Sequence, residues 1–257
     1  MRSRFLRLAI LLGLITAVGP FAVDMYLPAL PSMGKSLHAS PAAVQMSLMV
    51  FFVTMGVCQL FYGPLSDMLG RKTPIYGGLA VFIAGSIGCA LSPNIDTLIL
   101  FRVVQAFGAC AGMVVPRAIV RDLHTGHDAT RLMSLLMLVM STSPLLAPMT
   151  GSFIIEYWGW RGVFAILTIA GALALILAAT QLTETRPPQA RLGSSWRRAF
   201  AAYRELLTDP EFFGLTLVGA LGVAAFFVYL GSGSFVLINY YGLTPKLFSV
   251  CFALNAG

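Results

Sequence analysis

Seven long apolar segments, each able to cross a lipid bilayer, dominate this chain of 257 residues. A membrane-spanning helix needs about 20 mostly apolar residues, because the hydrocarbon core is about 30 Å thick. The segments lie near 6–27, 42–62, 74–92, 97–116, 131–154, 162–182 and 212–231, and an eighth opens near 247. Hydrophobic residues make up 58% of the sequence and charged residues 11%, whereas soluble domains carry about 25% charged residues. The sequence therefore predicts an all-α, multi-pass membrane protein.

The basic residues are distributed unevenly between the two sides of the predicted membrane. With the N-terminus in the cytoplasm, thirteen Lys and Arg residues fall in cytoplasmic segments and three on the opposite side, and Arg102 lies inside a span. This asymmetry follows the positive-inside rule, so we expect a cytoplasmic N-terminus in a bacterial inner membrane. The net charge of +7 comes from short clusters rather than from one basic face, which argues against nucleic-acid binding.

A polar stretch from Glu184 to Glu211 interrupts the apolar pattern. It begins with two prolines, which break a helix, and it continues with Trp196, Phe200 and Tyr203 among arginines. We expect residues 1–183 to form a six-helix transmembrane bundle, residues 184–211 a cytoplasmic linker, and residues 212–257 the incomplete start of a second bundle. The linker could lie on the membrane surface or be a plain solvated connection, and the sequence leaves both readings open.

Two ionisable residues lie within predicted spans, where charge is costly and usually functional. Asp24 lies near the outer end of the first span. Removal from water disfavours a charged carboxylate, so Asp24 could exchange a proton in competition with a substrate, or it could instead cap backbone near Pro28. Arg102 lies in the fourth span and stays charged, so it needs a partner or water, unless it snorkels to the outer interface.

The turn between the second and third spans contains the most specific motif, which runs from Gly63 to Lys72 as G-P-L-S-D-M-L-G-R-K. Glycine permits close backbone approach at Gly63 and a tight turn at Gly70. Asp67 offers an acceptor for a neighbouring helix N-terminus. Arg71 and Lys72 would hold the turn on the cytoplasmic side.

This run resembles the motif G-x-x-x-D-R-x-G-R-[RK] between helices 2 and 3 of the major facilitator superfamily, with Met68 at a usually basic position. The resemblance implies a latch that joins the two six-helix halves on the cytoplasmic side. It also implies that Asp122, at the end of the fourth helix, pairs with Arg71.

Three further stretches resemble the same superfamily. The run from Arg102 to Gly108 is similar to R-x-x-Q-G-x-G, with alanine for one glycine. The run from Ala147 to Ser152 is similar to the antiporter motif G-P-x-x-G-G, in which Pro148 and Gly151 are kept. The D-M-Y-L-P-A-L-P sequence from Asp24 to Pro31 and the V-R-D sequence ending at Asp122 resemble the bicyclomycin/chloramphenicol-resistance (Bcr/CflA) drug:proton antiporters.

The resemblance implies a major facilitator fold: a complete N-terminal six-helix bundle, helix 7 and the start of helix 8. Since residues 247–257 would form only about 16 Å of helix, we expect a chain truncated relative to twelve helices. The implied function is export of an amphipathic small molecule or drug in exchange for protons, contributing to antibiotic resistance, and Arg102 would support the proton coupling. The candidate residues of the substrate cavity are Tyr26, Phe51, Met55, Gln59 and Gln105.

No enzymatic activity is expected, and no cofactor beyond the proton gradient, since no phosphate-binding loop is present. No metal site is expected either, because the His124, His127 and Asp128 group is more typical of a solvated loop. The expected partners are the substrate, protons and the lipid bilayer, with the full-length protein a monomer. Two alternatives stay open: a proton-coupled nutrient symporter of the same fold, and a truncated membrane protein that does not transport.

Overall fold

The computed structural model describes the backbone of residues 2–256 and the side chains of residues 5–255. Met1, Gly257 and the side chains of Arg2 and Arg4, two of the charges behind the predicted orientation, lie outside this part. The described helices are α1 (Arg2–Asp24), α2 (Leu30–Ser36), α3 (Pro41–Leu69), α4 (Lys72–Leu91), α5 (Ile95–Leu123), α6 (Gly126–Gln181), α7 (Pro188–Arg191), α8 (Trp196–Thr208), α9 (Pro210–Ser234) and α10 (Pro245–Ala256). A 3-10 turn (Leu27–Ala29) follows α1, and a π-helix (Phe235–Tyr240) follows α9.

Six of the described helical segments are long and apolar enough to cross a membrane. One of them, α6, has 56 residues, or about 84 Å of helix at 1.5 Å per residue, which is more than two bilayer crossings need. The helix is interrupted at Gly159, whose φ of 67° favours glycine. This break separates the predicted spans 131–154 and 162–182, so each of the seven predicted spans corresponds to a helical segment, with three of the span ends lying just beyond their helix.

The helix ends follow local capping chemistry. The Ser40 side chain accepts from the Ala43 N–H at the start of α3, and the Asn94 side chain accepts from the Thr97 N–H at the start of α5, which satisfies amide groups that a helix leaves unpaired. Helices α3 and α5 continue about seven residues past the predicted spans, because helical backbone bonding does not stop where hydropathy falls.

Small residues allow the helices of the bundle to approach closely. A Cβ built on Gly108 of α5 would lie 2.7 Å from the Cα of Phe82 in α4, and a Cβ on Gly85 of α4 would lie 2.6 Å from the Cα of Gln105. Such contacts dominate helix packing in a bilayer, where lipid is as apolar as the side chains. Helix α1 packs on α6, α3 on α5, and α4 on both α5 and α6.

The helices after the linker also contact the six-helix bundle. The rings of Phe227 in α9 and Phe52 in α3 are stacked with centroids 4.0 Å apart. At the start of α10, the Lys246 ammonium lies 2.6 Å from the Glu156 carboxylate of α6. These contacts place α9 beside α3 and α10 beside α6; the division into domains at 183 and 211 stays a prediction.

The close approach of α4 and α5 leads to a stability prediction. Replacing Gly108 with alanine would force a methyl group against the backbone of Phe82, and we expect a loss of about 1–3 kcal/mol, as for other overpacked sites. The matched control is Gly77→Ala in α4, where no described atom lies within 4 Å of the built Cβ. Thermal unfolding in detergent should show a lower midpoint for Gly108→Ala only; equal midpoints would contradict this packing.

Candidate functional site

Helix α1 ends abruptly at the predicted membrane-embedded carboxylate. The backbone passes from Asp24 into the 3-10 turn at Leu27–Ala29. The Tyr26 N–H bonds three residues back, to the Val23 carbonyl at 3.3 Å, and so leaves the Ala22 carbonyl without its usual helical donor. The end of α1 therefore presents an unpaired acceptor inside the bundle.

Arg102 of α5 supplies the missing donor. Its Nη1 atom donates to the Ala22 carbonyl at 3.1 Å and to the Gln105 Oε1 atom at 2.7 Å. The guanidinium is fully buried and lies between two aromatic rings, 4.5 Å from the Tyr26 centroid and 4.1 Å from the Phe51 centroid. These faces attract a cation, so Arg102 is held by carbonyls and rings and does not snorkel outward.

A chain of hydrogen bonds fixes the same group to α4. Gln105 Nε2 donates to Ser86 Oγ at 2.8 Å, and Ser86 Oγ donates to the Phe82 carbonyl at 2.8 Å. The Tyr26 hydroxyl is hydrogen-bonded to the Ser47 hydroxyl of α3. The end of α1 is thus tied through Arg102 to three neighbouring helices.

Asp24 is buried but has little to balance a charge. It is 6% exposed, and its Oδ2 atom accepts from the Ser143 hydroxyl of α6 at 2.9 Å. Among the described side chains, no basic group lies within 4.0 Å of it. Arg102 contacts the Ala22 carbonyl of α1 and forms no ion pair with Asp24, and its part in proton coupling stays a prediction.

A cavity of about 370 Å³ opens beside Asp24, between α1, α3, α5, α6 and α9. It is lined by Gly19, Pro20, Val23, Asp24, Phe52, Met55, Gly56, Gln59, Met113, Met140, Pro144, Val223, Phe226, Phe227 and Leu230. Its volume falls in the range of small-molecule sites. Six of these fifteen residues are methionine or phenylalanine, and Asp24 is the one ionisable residue among the described residues of the wall.

Two of the five residues predicted to line the substrate cavity lie on its wall, and three do not. Met55 and Gln59 line it, as expected. Tyr26, Phe51 and Gln105 do not, and they instead enclose the Arg102 guanidinium. On α3, Phe52, Gly56 and Gln59 are three and four residues apart and share the cavity face, whereas the Phe51 ring packs on the Arg102 guanidinium.

The turn between α3 and α4, which the sequence predicts to be a cytoplasmic latch, contains the predicted ion pair. Arg71 donates to both oxygens of Asp122, from Nε at 2.7 Å and from Nη2 at 3.1 Å, the two-pronged geometry that suits a guanidinium and a carboxylate. Its Nη1 atom also donates to Asp67 at 2.8 Å and to Ser66 at 2.7 Å. Gly70 has a φ of 90°, a backbone conformation that favours glycine. The structure contains the Arg71–Asp122 pair and the turn at Gly70, while their role as a latch stays a prediction.

Two details of the predicted latch are wrong. Gly63 lies inside α3 rather than at its end, and no described atom lies within 4 Å of its built Cβ, so no close approach in the described chain requires glycine there. Asp67 does not accept from the N-terminus of α4; it bonds to Arg71 and lies 3.4 Å from the Arg186 guanidinium. The Lys72 ammonium lies 5.4 Å from the centroid of the Tyr76 ring.

Glu184 takes the role that the sequence assigned to Asp67. Its two carboxylate oxygens accept from the Arg71 N–H at 2.8 Å and the Lys72 N–H at 3.3 Å, at the positive end of α4. Sequence reasoning missed it because the partners are more than 110 residues apart. The only local signal is a T-E-T-R run directly after an apolar span.

The neighbours of Glu184 join the linker to the same latch. Arg186 donates from Nε to the Asp67 carbonyl at 2.9 Å, and the Thr185 hydroxyl donates to Asp122 at 3.1 Å. The Arg191 guanidinium lies 3.4 Å from the Glu184 carboxylate. The start of the linker is thus fastened to the α3–α4 turn.

The helix-5 motif meets the broken end of α1. A Cβ built on Gly151 would lie 3.0 Å from the Cα of Met25, so the close approach of α6 to the residue after Asp24 depends on glycine. The Pro148 carbonyl accepts from the Ser249 hydroxyl of α10 at 2.9 Å. The two motif residues therefore lie where α6 meets α1 and α10.

Comparison with known proteins decides the family. The protein-family model described as Major Facilitator Superfamily matches residues 12–257. The chain belongs to the major facilitator superfamily. This confirms the resemblance read from the motifs, together with the predicted fold class.

Curated relatives support this membership. The chain is 40% identical over 252 residues to the "Uncharacterized MFS-type transporter YdgK" of Bacillus subtilis (strain 168), covering 97% of this chain and 63% of that protein. It is 30% identical to the "Bicyclomycin resistance protein homolog" of Haemophilus influenzae, covering 95% of this chain and 61% of the relative. It is 33% identical to "Multidrug resistance protein D" of Escherichia coli (strain K12), covering 88% and 57%. The chain thus spans about 60% of these relatives.

Solved structures share the fold at low identity. A bacterial homologue of the human lysosomal transporter Spinster, in an inward-facing and unoccupied conformation, superposes with a TM-score of 0.76 at 18% identity, covering 99% of this chain and 59% of that one. A D-xylose-proton symporter superposes with a TM-score of 0.70 at 15% identity, covering 98% and 65%. At these identities the likeness establishes the superfamily fold alone.

The position of Glu184 in the latch leads to a pH-dependent prediction. Partial burial disfavours its charged form, but three backbone N–H groups and the Arg191 guanidinium hold the pKa of Glu184 below its ordinary value. A lowered pKa stabilises the fold above the ordinary value of about 4.3, and this stabilisation is lost as the pH falls through the pKa of the folded protein. We expect Glu184→Gln to lower the free energy of unfolding by about 1–3 kcal/mol at pH 7, and the difference to shrink below about pH 4.

Denaturant unfolding of the detergent-purified protein at several pH values measures this difference. The matched control is Glu205→Gln, which removes an exposed glutamate of α8 that has no ion pair among the described residues. An equal loss in the control, or a Glu184→Gln effect that stays constant down to acidic pH, would remove Glu184 from the latch.

Proposed function

We propose that this superfamily member belongs to a secondary transporter that exports an amphipathic small molecule or drug in exchange for protons. We further propose a place in the bacterial inner membrane with the N-terminus in the cytoplasm, as the distribution of basic residues favours. The single observation that carries the proposal is Asp24, a buried carboxylate on the wall of a cavity without a basic partner within 4.0 Å in the described chain.

The energetics of an unpaired carboxylate restrict what it can do. A buried charge is strongly destabilising unless it is paired and hydrogen-bonded, and the Ser143 hydroxyl supplies one neutral donor. Asp24 must therefore be neutralised by a bound proton or balanced by a polar or cationic part of a cargo molecule. Mutually exclusive occupancy by proton and cargo is the basis of exchange.

The chemistry of the cavity favours amphipathic cargo. Three methionine and three phenylalanine side chains, from α3, α5, α6 and α9, contribute to its largely apolar wall, and methionine adapts to irregular apolar shapes. The carboxylate of Asp24 and the amide of Gln59 offer the polar contacts. The drug-resistance names of the relatives from Haemophilus influenzae and Escherichia coli support the same class of substrate, whose identity stays open.

The broken end of α1 offers a route from occupancy to conformation. Arg102 caps the Ala22 carbonyl two residues before Asp24, and Gly151 brings α6 against the residue after it. A change of charge at Asp24 would alter the position of α1 against α5 and α6, and cargo and proton would favour different states of the protein. Each proton moving inward contributes about 2.3 kcal/mol per 100 mV of membrane potential, and no other cofactor is proposed.

The test is the loss of exchange when Asp24 becomes asparagine in a full-length protein that contains this sequence. Asparagine keeps the size and the hydrogen bond to Ser143 but cannot ionise, so we expect drug-dependent proton movement to disappear. The matched control is Asp96→Asn, which removes an exposed carboxylate in the first turn of α5. The readout is a fluorescent pH probe in everted membrane vesicles with an acidified interior.

Adding drug outside these vesicles should release protons from the wild type and the control, and not from Asp24→Asn. Undiminished release by Asp24→Asn would remove this residue from the mechanism. A nutrient symporter would give no release in this geometry, because its substrate and proton leave the vesicle together. If no drug in a panel causes proton release, and a nutrient loaded inside the vesicles accelerates proton release, the protein is a symporter and not an exporter.

A further inference from the structure

The linker helix α8 has two chemically different faces. At 100° per residue, Trp196, Phe200, Tyr203 and Leu207 share one side of the helix. Arg197 and Arg204, seven residues apart, follow one flank of that side, whereas Arg198 points to the opposite side. Helix α8 is therefore apolar along one face and basic along its edge.

Contacts with α3 place this helix at the edge of the apolar layer. The Tyr203 hydroxyl donates to the Leu60 carbonyl at 2.7 Å, and the rings of Trp196 and Phe61 lie 5.9 Å apart. The apolar span of α3 ends near residue 62, although its helix continues to Leu69. Helix α8 thus lies alongside the end of a spanning segment rather than beyond it in bulk solvent.

Part of the apolar face is exposed, with Phe200 contacting only the Trp196 and Tyr203 rings of α8 among the described aromatic pairs, and the basic edge has no described ion-pair partner. Phe200 is 54% exposed and Leu207 is 62% exposed. Arg197 and Arg204 are exposed and form no ion pair within the described chain. An environment that suits both features is apolar on one side and negatively charged beside it, which is the headgroup boundary of a bilayer with anionic lipids.

We propose that α8 binds anionic phospholipids of the cytoplasmic leaflet, with Phe200 and Leu207 in the acyl boundary and Arg197 and Arg204 on the phosphate groups. Of the two readings that the sequence leaves open, this selects the membrane surface over a solvated linker. The proposal does not depend on drug export, because it concerns only the depth of α8 and the charge along its edge.

The test uses Trp196 as a depth probe in the protein reconstituted into nanodiscs. Trp158→Phe and Trp160→Phe leave it as the single tryptophan of the chain. Phosphatidylcholine or phosphatidylglycerol with brominated acyl chains is mixed with unbrominated lipid of the other headgroup, so that quenching reports which lipid lies next to α8. We expect quenching by both lipids, stronger for brominated phosphatidylglycerol.

Two matched variants separate a lipid site from general charge attraction. Arg197→Gln with Arg204→Gln should remove the preference for phosphatidylglycerol, whereas Arg198→Gln on the opposite side should keep it. All variants should show the helical circular dichroism and the unfolding midpoint of the parent, since these side chains are exposed.

Three outcomes would overturn the proposal. If brominated lipid does not quench Trp196 fluorescence but aqueous iodide does, α8 lies in solvent. Protection from both lipid and iodide would mean that protein covers this face. Equal quenching by the two lipids, or the same loss of preference in Arg198→Gln, would leave membrane contact without an anionic-lipid site.

Discussion

A guanidinium enclosed at membrane depth without a carboxylate partner is costly, and the arrangement of the bundle follows from how Arg102 is accommodated. Two aromatic faces, the Gln105 amide and a backbone carbonyl share its charge. That carbonyl, from Ala22, is available because α1 breaks just after it. The break in turn sets the position of Asp24, so the arginine, the helix end and the carboxylate form one interdependent unit.

Asp24 and the charged cluster at the α3–α4 turn differ in how their charges are satisfied. At the α3–α4 turn, Arg71 is bonded to two carboxylates, and Glu184 accepts from the backbone at the start of α4. Such a cluster is fully paired and stabilises one arrangement of the α3–α4 turn. Asp24 has a single neutral donor and lies on a cavity wall. A charge at Asp24 therefore needs a bound proton or cargo to balance it, whereas the charges at the α3–α4 turn do not, which is the physical basis for the proposal that exchange occurs at Asp24.

The linker is attached both to the α3–α4 turn and to α3 itself. Its first residues bond to the latch through Glu184 and Arg186, and its helix α8 contacts α3. We expect a movement of the α3–α4 turn to shift the linker that leads to α9, because Glu184 and Arg186 of the linker are hydrogen-bonded to residues of that turn.

Sequence predicted the features that depend on hydropathy or on local backbone. The seven spans follow from apolar length, the need for glycine at Gly70 from the tightness of a turn, and the Arg71–Asp122 pair from the motif. Features that depend on contacts between distant segments were not predictable. Glu184 could not be placed at the α3–α4 turn, and Phe51 and Gln105 were assigned to the cavity because the sequence does not say which face of a helix meets Arg102.

Competition between proton and cargo at Asp24 can be measured as proton release on drug binding to the purified full-length protein in weakly buffered detergent solution, where no membrane potential or vesicle leak contributes. If Asp24 holds either a proton or cargo, drug binding to the wild type releases protons in proportion to the occupied sites. Whether or not the Asp24→Asn variant still binds the drug, it should release no protons. Equal proton release per bound drug from Asp24→Asn, or drug binding to the wild type with no release at any pH, would contradict the central claim.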